Sequence, residues 1–430
     1  MQRRVVITGA GWITPLGRGV DPVWNLLTQG RSGIGPITLF DADDYPVKIA
    51  AEVPKSAVPY DDGNGTDWRH HPRQTRFALA AAIDAARVAG IDECTVAPAR
   101  MGVSLGCGET FPDLSQLGPW IAESIQDGQL HTDLLQRQAM SIPHLNGELG
   151  SDPSLTSGYL AAEFNAQGPN ANFITACTSG SQAIGFAREI LRRGEADVML
   201  AGAAHSMIHP IGVTGFHRLG VLSTSNELGG GASRPFDRDR DGFVVGEGGA
   251  VIVLETLEHA RARGAEILGE LTGYSEGHDA FRITDAHPRG RGLAGCMRQA
   301  MDDAQLNLDD INYISAHGTG TLLNDRIETT AVKDVFGTSS YNVPISSVKS
   351  MIGHSTTACG ALEVIVGLQT VRTGLIPPTM NYEHVDPECD LDYVPNEVRE
   401  TPCRHVLSNN LGFGGQNAVV VVSRYDGTAC

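Results

Sequence analysis

The pattern of apolar and polar positions alternates between segments typical of strands and segments typical of helices. Residues 74–89 carry apolar side chains at helical spacing, and the next apolar run, from Met101, ends in glycines. Residues 293–304 repeat the helical pattern, and the run from Ile311 again leads into glycines. Alternating strands and helices predict an α/β fold in which helices cover the faces of the sheets.

Each half of the chain then carries a second strand–turn–helix unit. In the first half, residues 172–174 lead to a turn at Cys177 and to a helix ending near Arg193. In the second half, residues 344–348 lead to a turn and to a helix of small residues through Leu368. A repeated order of elements predicts a duplicated core, although two generic strand–helix units can also resemble each other by chance.

A chain of 430 residues exceeds one ordinary domain, which agrees with duplication. The joint is predicted after the strand 250–254, so that residues 1–255 form an N-terminal half and residues 256–430 a C-terminal half. An irregular insertion, rich in Ser, Gln, Leu and Pro, is predicted at about 109–160 in the first half.

Composition narrows the possible environments and partners. A net charge of −18 argues against a nucleic-acid surface, because neutralising phosphates requires clustered Lys and Arg. No segment reaches the roughly 18 apolar residues of a membrane span, and the first apolar run breaks at glycines, which predicts a strand rather than a secretory segment. Eight cysteines without CxxC spacing predict free thiols and a cytoplasmic protein.

Cys177 is a candidate nucleophile because it lies between a strand-like run and the start of a helix. Unpaired N–H groups and the positive end of the helix dipole favour a thiolate there. The same N–H groups could receive an oxyanion from a thioester carbonyl. The alternative is a buried structural cysteine, which is the usual fate of a free cysteine. Position alone does not decide between the two.

Two histidines of the second half follow strands, where open α/β sheets place functional loops. They are His317, in a glycine-rich turn, and His354, five residues after Lys349. Neither has a metal-ligand spacing with a neighbour, so no metal is predicted. Loss of carbon dioxide from a malonyl thioester places negative charge on the thioester oxygen, which two imidazole N–H donors could stabilise. One cysteine and two histidines therefore suit condensation after decarboxylation.

Several motifs, in this order, resemble the elongating β-ketoacyl–acyl carrier protein synthases. The motifs are Ile7–Gly11 with Thr14–Gly17, Thr175–Gly180, Arg234–Gly248, Ala316–Thr321, Ser347–His354 and Gly412–Asn417. The resemblance covers nearly the whole chain and implies a thiolase fold with a duplicated five-layer αβαβα core. It also implies a homodimer, or a heterodimer with a subunit resembling a chain-length factor. The residues themselves favour a mainly structural role for the charged segment Arg234–Glu247.

The resemblance implies a role for each matching residue. Cys177 would carry the acyl group, and His317 and His354 would assist decarboxylation and condensation. Lys349 would position and polarise the site, with Glu328 supporting it.

The remaining matches concern the substrate. The backbone N–H groups of Cys177 and Phe413 would form an oxyanion hole, and Phe413 would also act as a gate in its glycine-rich loop. Thr319 and Thr321 would hydrogen-bond the phosphopantetheine arm of an acyl carrier protein, which brings the substrates, so no separate cofactor is expected.

Some residues depart from the common pattern. Glu109 falls where many fatty-acid enzymes of this kind place a small or apolar residue lining the acyl pocket, and this predicts an unusual or polar acyl chain. Ser315 replaces an asparagine that contributes to a monovalent-cation site in some relatives, so no such ion is predicted. The segment from Asn324 is closer to polyketide enzymes, whereas the segment from Asp237 leans towards fatty-acid synthesis.

The sequence therefore predicts decarboxylative Claisen condensation of an acyl chain on Cys177 with malonyl-acyl carrier protein, in type II fatty-acid synthesis. The first alternative is the ketosynthase subunit of a type II polyketide or polyene pathway. A non-catalytic partner subunit is less expected, because such subunits lack the nucleophile that this chain retains. Thiolase-type condensation on coenzyme A would need a second catalytic cysteine where this chain has His354. A Cys–His hydrolase would leave Lys349 and the second histidine unexplained.

Overall fold

The computed structural model describes residues 3–59, 61, 67–69, 71–92, 95–110, 114–140 and 152–427. The helices are α1 Val20–Thr28, α2 Arg73–Ala89, α3 Leu114–Glu123, α4 Thr132–Met140, α5 Leu155–Glu163, α6 Ser179–Arg193, α7 Pro210–Arg218, α8 Leu257–Ala262, α9 Arg291–Asp303, α10 Leu322–Phe336, α11 Lys349–Ile352 and α12 Cys359–Thr373.

Ten strands form the main path of one large sheet. They are β1 Val5–Thr14, β5 Met101–Cys107, β8 Asn170–Phe173, β9 Val198–His205, β10 Gly248–Thr256, β11 Gly269–His278, β12 Tyr313–Ser315, β13 Ile345–Ser346, β16 His405–Gly412 and β17 Gln416–Ser423. The short strands are β2 Gly17–Arg18, which extends β1, and three two-stranded pairs: β3 Gly35–Pro36 with β4 Ile49–Ala50, β6 Ile125–Gln126 with β7 Gln129–Leu130, and β14 Leu375–Ile376 with β15 Arg399–Glu400.

The strand order is the same in the two halves of the sheet. Strands β1, β10, β9, β5 and β8 follow one another in the first half, and β11, β17, β16, β12 and β13 follow in the second. In each half the first two pairings are antiparallel and the last two are parallel. Strands β1 and β11 join the halves through two antiparallel residue pairs. The repeated order found in the sequence therefore reflects a repeated topology.

Helices cover both halves of the sheet, and two of them pack between the halves. Helix α2 packs on β1 and β10, and α9 packs on the matching strands β11 and β17. Helices α6 and α12 contact each other between the two halves of the sheet. All but two of the fifteen residues of α12 are buried, which explains its small and apolar composition. The predicted duplicated five-layer core is confirmed.

The two central helices begin in the same way. Each has fifteen residues, follows one turn of 3-10 helix, and ends at a glycine in the left-handed conformation, Gly194 (φ 75°) or Gly374 (φ 73°). The first residue of each 3-10 turn also has a positive φ, 52° at Ala176 and 48° at Thr356. Positive φ is uncommon outside glycine and often marks a functional turn. The turn that carries Cys177 thus has a counterpart in the second half.

Sequence patterns placed most elements within a few residues, and the insertion was the main difference. Residues 114–140 form α3, α4 and the hairpin β6–β7, and residues 155–160 form the first part of α5, rather than irregular chain; residues 111–113 and 141–151 of the insertion lie outside the described residues. Helix α4 buries none of its side chains, so the insertion lacks the apolar periodicity that identifies a core helix. No described helix is long and apolar enough to cross a membrane.

Gly106, near the end of β5, sets how closely the sheet approaches α6. A Cβ atom at this position would lie 2.6 Å from the carbonyl carbon of Ser179, in the first turn of the helix. We expect Gly106→Ala to lower the free energy of unfolding by about 1–3 kcal/mol, because backbone has to move. Gly215→Ala is the matched control, since a Cβ there meets no atom within 4 Å on α7. Chemical denaturation of both variants measures the difference, and equal stabilities would contradict this packing.

Candidate active site

The turn before α6 presents Cys177 from a backbone that its neighbours hold in place. The Ser179 hydroxyl accepts a hydrogen bond from the Thr175 N–H at 2.8 Å and donates one to the Ala176 carbonyl at 2.7 Å. The Thr178 hydroxyl donates to the Thr175 carbonyl at 2.7 Å. These local bonds satisfy backbone groups at the helix start and stabilise the positive φ of Ala176.

The charge of Lys349 and two backbone N–H groups near the Cys177 sulphur, that of Phe413 and its own, lower the pKa of the thiol. Burial acts in the opposite direction and outweighs them, so the pKa of Cys177 rises to about 11. The free site therefore holds the neutral thiol at neutral pH, because the loss of solvation outweighs the groups that favour a thiolate, and the effect of the helix start stays a prediction. The N–H groups remain placed to receive a developing oxyanion.

His354 lies directly beside the nucleophile. Its Nε2 is 3.2 Å from the Cys177 sulphur, and its ring meets Phe243 edge-on at 5.0 Å between centroids. Its backbone N–H donates to the Val244 carbonyl at 2.8 Å, and its carbonyl accepts from Gly246 at 3.0 Å. The charged motif Arg234–Gly248 therefore ends in a segment that holds His354.

The buried side chain of Lys349 holds His317 in place. The Lys349 ammonium donates to the His317 carbonyl at 2.6 Å, lies 3.4 Å from His317 Nδ1, and forms an ion pair with Glu363. Burial alone would lower the pKa of Lys349, but the carboxylate of Glu363 raises it above its ordinary value. A charged ammonium beside Nδ1 makes this nitrogen the acceptor, so the proton of His317 lies on Nε2.

Both histidines remain neutral in this environment. Burial and the positive charge of Lys349 hold the pKa values of His317 and His354 well below the ordinary value. The two rings lie 5.2 Å apart between centroids and are nearly perpendicular. Each neutral ring has one N–H donor at neutral pH, which the stabilisation of an enolate oxygen requires.

Two buried carboxylates hold the loop after β12. Glu328 accepts hydrogen bonds from the N–H groups of His317 at 2.9 Å and Gly318 at 2.8 Å, and burial raises its pKa to about 7. Asp325 accepts from Thr319 at 3.1 Å and Gly320 at 3.2 Å. The loop that carries His317 is thus fixed through its backbone.

Asp325 also connects this loop to the charged motif. It accepts from the Phe236 N–H at 2.7 Å and pairs with Arg240 at 3.5 Å, and Arg240 pairs with Asp386 at 2.6 Å. These contacts agree with the structural role predicted for the motif. Through these contacts, the loop after β12 and the charged motif that holds His354 belong to one network of ion pairs and hydrogen bonds.

A cavity of about 330 Å³ leads from the surface to the nucleophile. Six predicted site residues line it: Cys177, His317, Thr319, Thr321, His354 and Phe413. The hydroxyls of Thr319 and Thr321 lie 3.0 Å apart. The predicted residues Lys349 and Glu328 lie behind the cavity, and there they position His317 rather than meet a ligand.

Glu109 does not join this cavity. Its side chain is 65% exposed in the chain, and one oxygen of its carboxylate lies 3.9 Å from Nε2 of His205. The expected cost of burying a lone carboxylate at this position therefore does not arise in the single chain. A role of Glu109 towards the acyl group stays a prediction.

Two important partners in the site, Glu363 and Asn410, are not among the residues predicted from the sequence. Asn410 donates to the second oxygen of Glu363 at 2.6 Å and lies 3.5 Å from His317 Nδ1. A signal existed for Glu363, because it is the one carboxylate in the apolar helix α12. A charge in such a helix needs a buried partner of opposite sign. Asn410 lies in an ordinary strand and gave no comparable signal.

Distance alone would also allow a metal ion at this site. The ligand atoms of Cys177, His317 and His354 all lie within 4.8 Å of one another. The buried ammonium of Lys349, 3.4 Å from the His317 ring, opposes a second cation there. The donor set therefore fits a proton-handling site better than a metal site, and the absence of a metal stays a prediction.

Family models match most of the chain. Residues 2–260 match the model described as "Beta-ketoacyl synthase, N-terminal domain", and residues 268–383 match "Beta-ketoacyl synthase, C-terminal domain".

Curated proteins and a solved structure match nearly end to end. A putative polyketide beta-ketoacyl synthase 1 from Streptomyces halstedii is 44% identical over 98% of both chains. The 3-oxoacyl-[acyl-carrier-protein] synthase 2 of Coxiella burnetii is 39% identical over 98% of this chain and 99% of that protein. A structure of a type II polyketide synthase acyl-carrier protein in complex with its ketosynthase bound to the hexaketide contains a chain with a TM-score of 0.86 and 32% identity, over 99% of this chain and 100% of that chain.

The high pKa of Cys177 predicts the pH dependence of its alkylation. Only the thiolate reacts, so in the free protein the rate with iodoacetamide should rise with pH from 7 towards the pKa of about 11, roughly tenfold per unit below it. Because the charge of Lys349 lowers this pKa, Lys349→Met should react more slowly at each pH. Mass spectrometry of the Cys177 peptide gives the rates, with the exposed Lys55→Met as control. A plateau reached below pH 8, or a faster Lys349→Met, would contradict the electrostatics described above.

Proposed function

The chain belongs to the β-ketoacyl synthase family, and on that premise we propose that Cys177 carries the acyl chain while His317 and His354 support decarboxylation of a malonyl thioester. The protein is a condensing acyltransferase with a thiolase fold. The contacts of the Cys177 sulphur, at the inner end of the cavity, support this division of roles. There the Cys177 sulphur meets two backbone N–H groups and His354 Nε2 at 3.2 Å.

The first step moves the acyl group from a carrier thioester to Cys177. The sulphur attacks the carbonyl carbon, and the carbonyl oxygen takes the negative charge against the N–H groups of Cys177 and Phe413. His354 Nε2 is the nearest base to the thiol proton, which finally reaches the departing carrier thiolate. Because the thiol is neutral and its pKa is high, the proton leaves the sulphur in the same step in which the sulphur attacks the carbonyl carbon.

The second step releases carbon dioxide from malonyl carrier protein. The breaking carbon–carbon bond leaves its electron pair in an enolate, whose negative oxygen needs donors. His317 Nε2–H is available because Lys349 occupies Nδ1. His354 accepts at Nε2 in the first step, so it donates from Nε2 here only after its proton moves from Nδ1 to Nε2, an exchange that no hydrogen-bond partner of Nδ1 opposes among the described residues. The depressed pKa values keep both rings neutral without added acid.

The third step forms the new carbon–carbon bond. The enolate carbon attacks the Cys177 thioester, the two backbone N–H groups again receive the oxyanion, and the Cys177 thiolate leaves with the electron pair. The thiolate then takes up a proton from solvent, which restores the neutral thiol. The products are β-ketoacyl carrier protein and carbon dioxide. Thr319 and Thr321 line the entry, where their hydroxyls suit the amide and hydroxyl groups of a phosphopantetheine arm. On this proposal the protein needs no cofactor of its own.

Pathway and assembly belong to the proposal. We favour elongation in type II fatty-acid synthesis, in line with the 39% identical 3-oxoacyl-[acyl-carrier-protein] synthase 2. The second candidate is the ketosynthase subunit of a type II polyketide pathway, which the 44% identical Streptomyces halstedii protein favours. The first candidate is expected as a homodimer and the second as a heterodimer with a chain-length-factor-like subunit. Both would act in the cytoplasm.

The division of roles predicts different losses for two substitutions. Cys177→Ser should reduce acyl transfer by several orders of magnitude, because a hydroxyl is a far weaker nucleophile, while decarboxylation of malonyl carrier protein survives. His354→Ala should slow carbon dioxide release by about 10²–10³-fold, the usual effect of losing one donor to a developing oxyanion. His131→Ala, at an exposed position, is the control. Normal elongation by Cys177→Ser, or unchanged carbon dioxide release by His354→Ala, would reject the assigned roles.

Primer preference distinguishes the two pathways. With malonyl carrier protein, a fatty-acid enzyme should turn over ordinary saturated primers rapidly and alone. A polyketide ketosynthase should be slow with these primers and should need its partner subunit. Product analysis by mass spectrometry over a series of saturated primers decides between them. Rapid turnover of saturated primers by the isolated chain would exclude the polyketide candidate.

A further inference from the structure

His205 is a buried histidine that the proposed condensation does not use. It ends β9, and its Nδ1 is hydrogen-bonded to the Thr356 hydroxyl. Its residue surface is 2% exposed, and its Nε2 has no hydrogen bond of ordinary geometry among the described residues, although the Glu109 backbone lies close enough to raise the pKa of the ring. Burial lowers its pKa to about 4, so the ring is neutral at pH 7. A buried polar nitrogen without a partner is costly and points to a ligand.

Glu109 borders the same space from the solvent side. Its carboxylate lies 3.9 Å from His205 Nε2, which is too far for a hydrogen bond. Gly108 leaves room for the ring, because a Cβ at this position would lie 2.2 Å from Nε2. The carboxylate and the imidazole nitrogen, hereafter the Glu109–His205 pair, therefore both keep capacity for a further polar group.

Contacts on two sides place this pair near the nucleophile Cys177. Thr356, which holds His205, follows His354 by two residues, and His205 contributes to the low pKa of His354. On the other side, Gly106 packs against the first turn of α6, and Glu109 follows three residues later. Three extended residues span at most about 11 Å. The pair thus lies within reach of an acyl chain attached to Cys177.

The order of the reaction steps requires space for the acyl chain on the side of the Glu109–His205 pair. While the acyl group is on Cys177, the malonyl arm has to enter through the cavity lined by Thr319, Thr321 and Phe413. The acyl chain must therefore extend away from that cavity. The ends of β5 and β9, which carry Glu109 and His205, lie outside its lining.

We propose that the Glu109–His205 pair selects acyl chains that carry a hydroxyl group. The hydroxyl donates to the Glu109 carboxylate and accepts from His205 Nε2–H, with Thr356 donating to Nδ1. A saturated chain at this position leaves the buried His205 Nε2 unpaired, and sites built for a hydroxyl discriminate against analogues that lack it. This inference rests on the proposed acylation of Cys177.

The test compares acylation of the full-length protein by matched small thioesters, which removes dependence on a particular carrier. The probes are N-acetylcysteamine thioesters of octanoate and of octanoates with a hydroxyl at carbon 3, 5 or 7. Intact-mass spectrometry follows acylation of Cys177. At least one hydroxylated probe should react about tenfold faster than octanoate, the effect of one net hydrogen bond. Glu109→Leu should remove this preference, and Glu109→Gln should keep part of it.

Glu397→Leu, at another exposed carboxylate, is the matched control and should keep the full preference. His205→Gln is a second variant, which should also lower the ratio. Equal rates for all probes in the wild type, or an unchanged ratio in Glu109→Leu, would overturn the inference while leaving the proposed function intact. Failure of every probe and of carrier-bound primers to acylate Cys177 would instead contradict the proposed function itself.

Discussion

A buried ammonium group, that of Lys349, lies beneath the reactive atoms, and the chemistry of the site depends on its contacts. It is 1% exposed, pairs with Glu363 and donates to the His317 carbonyl. Its position fixes which nitrogen of His317 bears the proton, and its field lowers the pKa values of both histidines and of Cys177. A charge held in a low-dielectric interior acts strongly over several ångströms, which a surface charge does not. The cost of burying it is offset by a carboxylate that is itself held by Asn410.

The duplicated topology explains how the site is divided. The first half supplies the nucleophile at the start of α6, and the second half supplies both histidines, the lysine and the backbone N–H of Phe413. The central helices α6 and α12 bring these parts together, because they are packed against each other between the halves of the sheet. Neither half contains a complete site. The proposed reaction therefore depends on how the two halves pack, and so on small residues such as Gly106 and Gly360, where an added Cβ would meet backbone or buried polar atoms.

Local sequence patterns were sufficient for the elements and for the residues that line the cavity. Cys177 and His317 follow strands directly, and His354 follows the strand β13 after the single-turn helix α11, positions that apolar runs in the sequence can indicate. The patterns could not give the pKa of Cys177, because burial and the helix start act in opposite directions and only the three-dimensional structure sets their balance. They also did not give Asn410, which lies 93 residues from His317 along the chain. Glu363 carries a signal of its own, as a lone carboxylate in an apolar helix, but the pattern does not name Lys349 as its partner. Glu109 was noticed as a departure from a familiar pattern, but its neighbour His205 became visible only when β5 and β9 were placed side by side.

The equal lengths of α6 and α12 carry a consequence for the evolution of the chain. An inserted residue would rotate one end of a helix by 100° and shift it by 1.5 Å relative to the other. The 3.2 Å contact between the Cys177 sulphur and His354 Nε2 would not survive such a change, because one partner is fixed to each half. Exposed loops and the insertion before α5 are free to change length, whereas the two fifteen-residue helices have to keep their lengths. Length variation among descendants of the duplicated ancestor should therefore accumulate outside them.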